Sequence, residues 1–247
     1  MPDIFLSPSS QEFNPYINGG NEEYYMNIIA DAMIPYLDAS GISYGRNTPT
    51  GSFIDSVRAS NSDDYKLHLA IHSNASPPQN AGKARGAQVY YYPNSENSKR
   101  AADIFANNFK EIYPIPSKVN TVPTTVLSEV AKTKAPAILI EVAYHDNEQD
   151  AQWIRDNINA IAENLVISVG DFLGKEIKIP SAAKKGRVNT NGTNLNLRAQ
   201  PSVNSAIKGK IPDNTAIPLY DRINDWYLTE YKQVSGYVSG KYIIPLN

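Results

Sequence analysis

Residues 135–144 read APAILIEVAY. A near-continuous apolar run of strand length is what a central strand covered on both faces requires. One carboxylate, Glu141, interrupts it near its end. Downstream, Asp146 and Asn147 supply turn chemistry. The stretch 148–173 then carries Ile154, Ile158, Ile161, Leu165 and Val169 in helical register, which predicts one long helix. Upstream, KLHLAIHS (66–73) and GAQVYYYP (86–93) read as further strands, and 95–113 as a helix with Ala101, Ile104, Phe105 and Phe109 on one face. Nearer the N-terminus, DIFLS (3–7) and ISYGRN (42–47) are short strands. Between them, 21–41 is a helix with Asn21 as N-cap, acids in its first turn and Gly41 after its end, and Pro35 is placed to kink it. A short helix over 51–62 gathers Phe53, Ile54 and Val57. Strands alternating with helices predict an α/β fold, a mostly parallel sheet flanked by helices.

That pattern stops near residue 175. EIKIPSAAKKG has the composition of an exposed linker, placed at 176–185. Short strand-like pieces follow without a helical period: VNTNGTNLNLRAQPS, AIPLYDR, DWYLTEY and GYVSGKYI. They predict a small all-β barrel over 186–247, after a first domain spanning 1–175. In 247 residues, 41% are hydrophobic and 10% aromatic, enough for a real core. A net charge of −2 gives no basic footprint for nucleic acid. The absence of cysteine excludes disulfides, a thiolate metal cage and a cysteine nucleophile. No stretch approaches the roughly 20 apolar residues of a membrane span. MPDIFLSPSS lacks the charged segment and long apolar run of a signal peptide.

Open α/β sheets assemble their sites beyond the carboxyl ends of the strands. Three strand ends here carry chemistry: SPSSQ after the first, His72 at the third, and EVAYHDN at the central one. Glu22 and Glu23 open the first helix at the same edge. Neutral imidazole with carboxylate oxygen is a ligand set of hydrolytic zinc. His68 and His72, four residues apart on a strand, lie roughly 13 Å apart at about 3.3 Å per residue. His68 is read as a packed core histidine. His72 either ligates a metal or simply ends a buried strand. Glu141 is costly to bury without a partner, and beside a metal it would be the natural general base. Acids in a first helical turn, such as Glu22 and Glu23, also favour the helix dipole on their own account.

Residues 3–175 resemble the zinc-dependent N-acetylmuramoyl-L-alanine amidases in NEEYYMN, AIHSNA, KTKAPAILIEV and the helix that follows. The resemblance implies zinc as cofactor and peptidoglycan as partner. It also implies that Glu23, four residues before Asn27, and His72 are metal ligands, and that Glu141 is the catalytic carboxylate. The family's first zinc histidine follows strand one, where this chain has Ser10 and Gln11. His145 is the expected substitute, completing a trio of Glu23, His72 and His145. A rival reading has His145 hydrogen-bond the substrate or its oxyanion while Gln11 or water completes the metal shell. A third has a degenerate site that binds the wall without cutting it. The segments NLNLRAQPS, DWYLTEY and SGYVSGKYI resemble a bacterial SH3-like domain, a wall-binding module. There Tyr220, Trp226, Tyr227, Tyr231 and Tyr237 either line a groove or fill the barrel's core.

The expected reaction is hydrolysis of the amide between N-acetylmuramic acid and L-alanine by zinc-activated water, with Gln11, Asn74, Trp226 and Tyr227 touching substrate. The alternatives are a catalytically silent wall-binding protein and a zinc peptidase acting on free peptides. Action at the bacterial cell wall, by phage- or spore-type release or after trimming of a leader, is the expected setting.

Overall fold

The computed structural model describes residues 2–17, 19–178, 184–199, 201–223, 225–232 and 234–246. Six strands build its first sheet: β1 (Ile4–Pro8), β2 (Tyr44–Arg46), β3 (Leu67–Asn74), β4 (Ala87–Tyr91), β5 (Val119–Pro123) and β6 (Ala137–Tyr144). Their order is β2-β1-β3-β6-β4-β5. All neighbouring pairs are parallel except β4 with β6. The APAILIEVAY segment is thus a central strand of a mostly parallel sheet, as its apolar run requires. The helices are α1 (Glu22–Ala39), α2 (Phe53–Ser60), α3 (Glu96–Phe109), α4 (Ser128–Ala131), α5 (Glu148–Asp156) and α6 (Ile158–Leu173).

The two faces of the sheet differ. Leu67, Leu69 and Ile71 of β3 and Ile138, Ile140 and Val142 of β6 join the main core, with Met26, Ile29 and Met33 of α1, Phe105 and Phe109 of α3, and Leu165 and Val169 of α6. The alternate residues face the other way, because successive strand side chains point to opposite faces. There Ala70 and Leu139 pack with Val130 of α4 in a much smaller cluster. His68, His72 and Glu141 share this thinly covered face.

Two sequence expectations are corrected. The helix expected over 148–173 is two helices, separated at Asn157 (φ −122°, ψ 22°), whose side chain donates to the Trp153 carbonyl at 2.8 Å. A side-chain amide that bonds the preceding turn competes with helix propagation. Strand β5 and helix α4 were not expected at all. By contrast, Asn21 caps α1 by accepting from the Tyr24 N–H, and α1 runs continuously through Pro35.

The chain divides into two compact units, Met1–Ile177 and Lys178–Asn247. The second contains β7 (Lys184–Val188), β8 (Leu195–Arg198), β9 (Ile207–Ile211), β10 (Ala216–Leu219), β11 (Asp221–Ile223), β12 (Trp226–Tyr231), β13 (Val234–Ser239) and β14 (Ile243–Leu246). They form two antiparallel sheets, β10-β7-β14 and β11-β12-β13-β8-β9. Val188, Leu195, Leu197, Ile211, Ile217, Leu219, Val238 and Ile243 are their common core. This is the all-β module expected from the sequence.

Candidate active site

His72 is the centre of the site. It sits in β3 directly opposite Glu141 of β6 in the parallel register, and the register shifts just after it. Its ring is buried, and carboxylates flank both of its nitrogens. Nδ1 lies 2.8 Å from Glu22 Oε1, and Nε2 lies 3.4 Å from Glu129 Oε2. Burial alone would lower the pKa of this imidazole. The bonds to Glu129 and Glu22, and the charges of Glu22 and Glu141, outweigh that and hold it well above the usual histidine value.

Helix α1 brings Glu22 to this point. Glu22 is 1% exposed, and Asn14 donates to its second oxygen at 2.7 Å. Although burial opposes it, the His72 partner keeps this carboxyl below its ordinary pKa. Glu23, the expected ligand, is one position and about 100° further around the helix. Its carboxylate accepts from Asn27 Nδ2 at 3.1 Å. The structure therefore brings Glu22, not Glu23, to His72.

Glu129 is a residue that sequence reasoning missed. It stands on the single turn α4, which has no periodicity to reveal it. The available signal was an acid framed by apolar residues in VLSEVA. It is 5% exposed and joins both histidines of β3. Oε1 accepts from His68 Nε2 at 3.2 Å and from the Ser7 hydroxyl. The histidine bonds overcome its burial and bring its carboxyl down to about 2. His68 is the core histidine expected: fully buried, stacked on Phe5 at 5.5 Å, with Nδ1 at 2.9 Å from Ser60 Oγ. Backbone spacing keeps the two rings from sharing a metal, yet one glutamate reaches both.

Glu141 lies across from this chain of bonds. Its Oε2 is buried with no hydrogen-bond partner. Burial first, and then the Glu22 charge, push its carboxyl up to about 7 against the pull of His72. A pocket of about 240 Å³ opens over Glu141, His72, Glu129 and Gln11, walled by Phe53, Val126, Leu127 and Leu139. A second of about 530 Å³ shares Gln11, Phe53, His72 and Glu129.

The remaining expected residues are placed as follows. Gln11 lines both pockets, its Nε2 3.4 Å from His72 Nδ1 and its Oε1 accepting from Asn14 at 3.0 Å. His145 is buried and stacked on Tyr16 at 5.2 Å, and its Nδ1–H donates to the Ser73 carbonyl at 2.8 Å. Its ring contacts are with Tyr16 and Ser73, and among the described residues the trio Glu23, His72 and His145 is not assembled at one point. Asn74 donates to Gln88 Oε1 at 3.0 Å and lines neither pocket. Trp226 and Tyr227 belong to the second unit, where both are half-buried and Tyr227 packs on the module's core.

Zinc, which the resemblance implies, needs three or four donors at one point. Among the described residues no group of three or more His, Cys, Asp or Glu side chains meets that condition. Two donors do meet. His72 Nδ1 and Glu22 Oε1 lie 2.8 Å apart, the distance of a hydrogen bond in which the imidazole N–H donates to the carboxylate; a cation held by both would take that proton's place. The Gln11 carboxamide is the third polar group on that side. The Gln11 atom nearest His72 is its amide nitrogen, while its oxygen accepts from Asn14, so one imidazole nitrogen and one carboxylate oxygen are the pair here that could hold a divalent ion.

Comparison with known proteins follows this geometry. Residues 11–170 match the profile of the N-acetylmuramoyl-L-alanine amidase family, and residues 193–244 match that of the bacterial SH3 domain. No curated protein matches the chain. Among solved structures, it is similar to an N-acetylmuramoyl-L-alanine amidase of Nostoc punctiforme (18% identity, 70% of this chain and 97% of that one, TM-score 0.62). An N-acetylmuramoyl-L-alanine amidase from Clostridium difficile 630 gives the same values. The catalytic domain of an endolysin targeting Clostridia difficile is 19% identical over 72% of this chain and 100% of that one, with a TM-score of 0.55. At these identities the likeness is one of fold.

Proposed function

The chain belongs to the N-acetylmuramoyl-L-alanine amidase family, and from that premise we propose that it hydrolyses the amide joining the lactyl group of N-acetylmuramic acid to L-alanine in peptidoglycan. The observation that carries this reading is the Glu141 carboxyl. It is poised near neutrality at a pocket floor, with an unpartnered oxygen, opposite a histidine held between carboxylates.

A general base works best when its pKa lies near the operating pH. Glu141 takes a proton from the attacking water as the new C–O bond forms. It then returns that proton to the nitrogen as the C–N bond breaks. The products are the muramic acid carboxylate and a free L-alanine amine. Glu22 and His72 would hold zinc, with the Gln11 carboxamide beside them. Zinc bound there supplies Lewis-acid polarisation of the carbonyl and a lower pKa for the attacking water. Phe53, Val126 and Leu127 form the apolar wall that seats the substrate beside the reacting carbonyl. The 193–244 module is the wall-binding part, and tethering it to the hydrolase raises the local concentration of a polymeric substrate. The setting is the bacterial cell wall. Among the described residues no helix is long and apolar enough to cross a membrane.

The test is digestion of purified sacculi by zinc-reconstituted and by chelated full-length protein, with products read by mass spectrometry. New L-alanine amino termini beside intact muramic acid, in the zinc sample only, are the expected outcome. Sacculi left intact by a zinc-loaded, folded protein would overturn the reading in favour of a binding protein.

A further inference from the structure

His72 is joined to the body of the fold through a line of buried groups that the reaction itself does not consume. Ser60 of α2 bonds His68 Nδ1 at 2.9 Å, and His68 Nε2–H donates to Glu129 Oε1 at 3.2 Å. Ser7 of β1 donates to the same oxygen. Glu129 Oε2 then faces His72 Nε2 at 3.4 Å. Strands β1 and β3 thus meet α4 at one carboxylate, with α2 bracing His68 behind it. A buried acid on a four-residue helix has few helical hydrogen bonds to hold it. Its place is set by these side-chain bonds and by Val130, 3% exposed, packing beneath Ala70 and Leu139.

We infer that Glu129 is a positioning residue: by accepting from His72 Nε2–H it fixes the tilt of the ring, so that Nδ1 is the nitrogen presented to Glu22 and Gln11. The inference rests on the proposed amidase reading for its kinetic consequence, but not for its structural one. An imidazole has two distinct nitrogens, and the partner of one decides the role of the other. Without an acceptor at Nε2, the ring loses one of its two anchors and is free to turn in its slot. With Glu129 pinned from its far side by His68 and Ser7, the ring stays in place. Both pockets are lined by Glu129 as well as His72, so loss of this bond would be felt at the reacting carbonyl through the histidine. Outer partners of functional histidines generally matter by about 10–100-fold.

Long-range ¹H–¹⁵N correlation spectra of the histidine rings in chelated, full-length protein test this directly. The expected wild-type result is a protonated Nε2 on His72. In Glu129→Gln, and in the shorter Glu129→Asp, the His72 ring ¹⁵N shifts should move. In the zinc-loaded enzyme, kcat on sacculus fragments should fall about tenfold or more with KM nearly unchanged. Glu129→Asp should lose less kcat than Glu129→Gln, because it keeps the charge. A wild-type His72 carrying its proton only on Nδ1 would overturn the inference. So would folded variants with lowered melting temperatures but unaltered His72 signals and kcat, the mark of a purely structural carboxylate. A wild-type spectrum without an Nε2–H overturns the inference even if neither variant folds. If wild type itself cleaves nothing, the amidase reading fails while the spectra still judge Glu129.

Discussion

Two neighbouring glutamates show what a residue-level argument can and cannot reach. Glu22 and Glu23 are chemically identical and both lie in the first turn of α1. Their difference is 100° of helix rotation, and only the packing of α1 against β3 settles which one meets His72. Spacing from Asn27 favours Glu23, and Asn27 does bind it, but as a side-chain partner along the helix. Glu22→Ala should therefore abolish stoichiometric zinc uptake measured by metal analysis, and Glu23→Ala should leave it near wild type. Glu141 makes a second prediction. Its folded pKa of about 7 exceeds the ordinary 4.5, so the folded state binds its proton more tightly than the unfolded state does. Its contribution to stability is full below pH 4.5 and is lost as pH rises to about 7, up to about 3 kcal/mol. Glu129 runs the other way, losing stability as pH falls from 4.5 towards 2. Denaturant melts of chelated protein at pH 5 and pH 7 should show the Glu141 loss in wild type and not in Glu141→Gln. That variant should also be inactive while remaining folded.

Elements were legible where a periodic pattern ran long enough. The central strand, α1 and α3 declare themselves by apolar run or helical register. His72 was legible because it ends such a strand. β5 is a short edge strand, VNTVP, in which Val119 is the one buried residue, so neither alternation nor an apolar run marks it. α4 is a single turn and gives no period, which is why Glu129 escaped notice. The break at Asn157 hides inside an unbroken apolar register, because hydrophobic spacing does not report a side-chain amide turning back on the previous turn. Where β5 joins the sheet, Gly86 holds φ at +131°, and a Cβ there would stand 2.5 Å from the Lys118 carbonyl oxygen. Gly86→Ala should cost about 1–3 kcal/mol, read as a lowered thermal midpoint. The backbone rather than a flexible side chain must yield.

At the scale of the whole molecule, the chain divides into two compact units at Ile177 and Lys178, and a helical period on one side and a run of short strands on the other need different cores. Each unit has its own buried cluster among the described residues. A fragment ending at Ile177 should therefore fold cooperatively alone, giving a single melting transition by circular dichroism. On soluble muropeptides it should match the full chain within about threefold. On sacculi it should lose retention in a sedimentation assay, since the second site of attachment is gone. Equal sedimentation of fragment and full chain would remove the wall-binding role from the 193–244 module.

His72 and Glu141 face each other as direct partners on adjacent parallel strands, about 4.8 Å apart along the hydrogen-bonding direction. The spacing of this pair is therefore written in the ladder of the sheet, whereas Phe53, Val126 and Leu127, which border the pocket, lie outside its strands. The scaffold separates what must stay constant from what can be exchanged. Side chains exchanged at Phe53 and Val126 would reshape the apolar border of the pocket while leaving that spacing and the α4 turn untouched, a division that suits this chain to being retargeted by grafting.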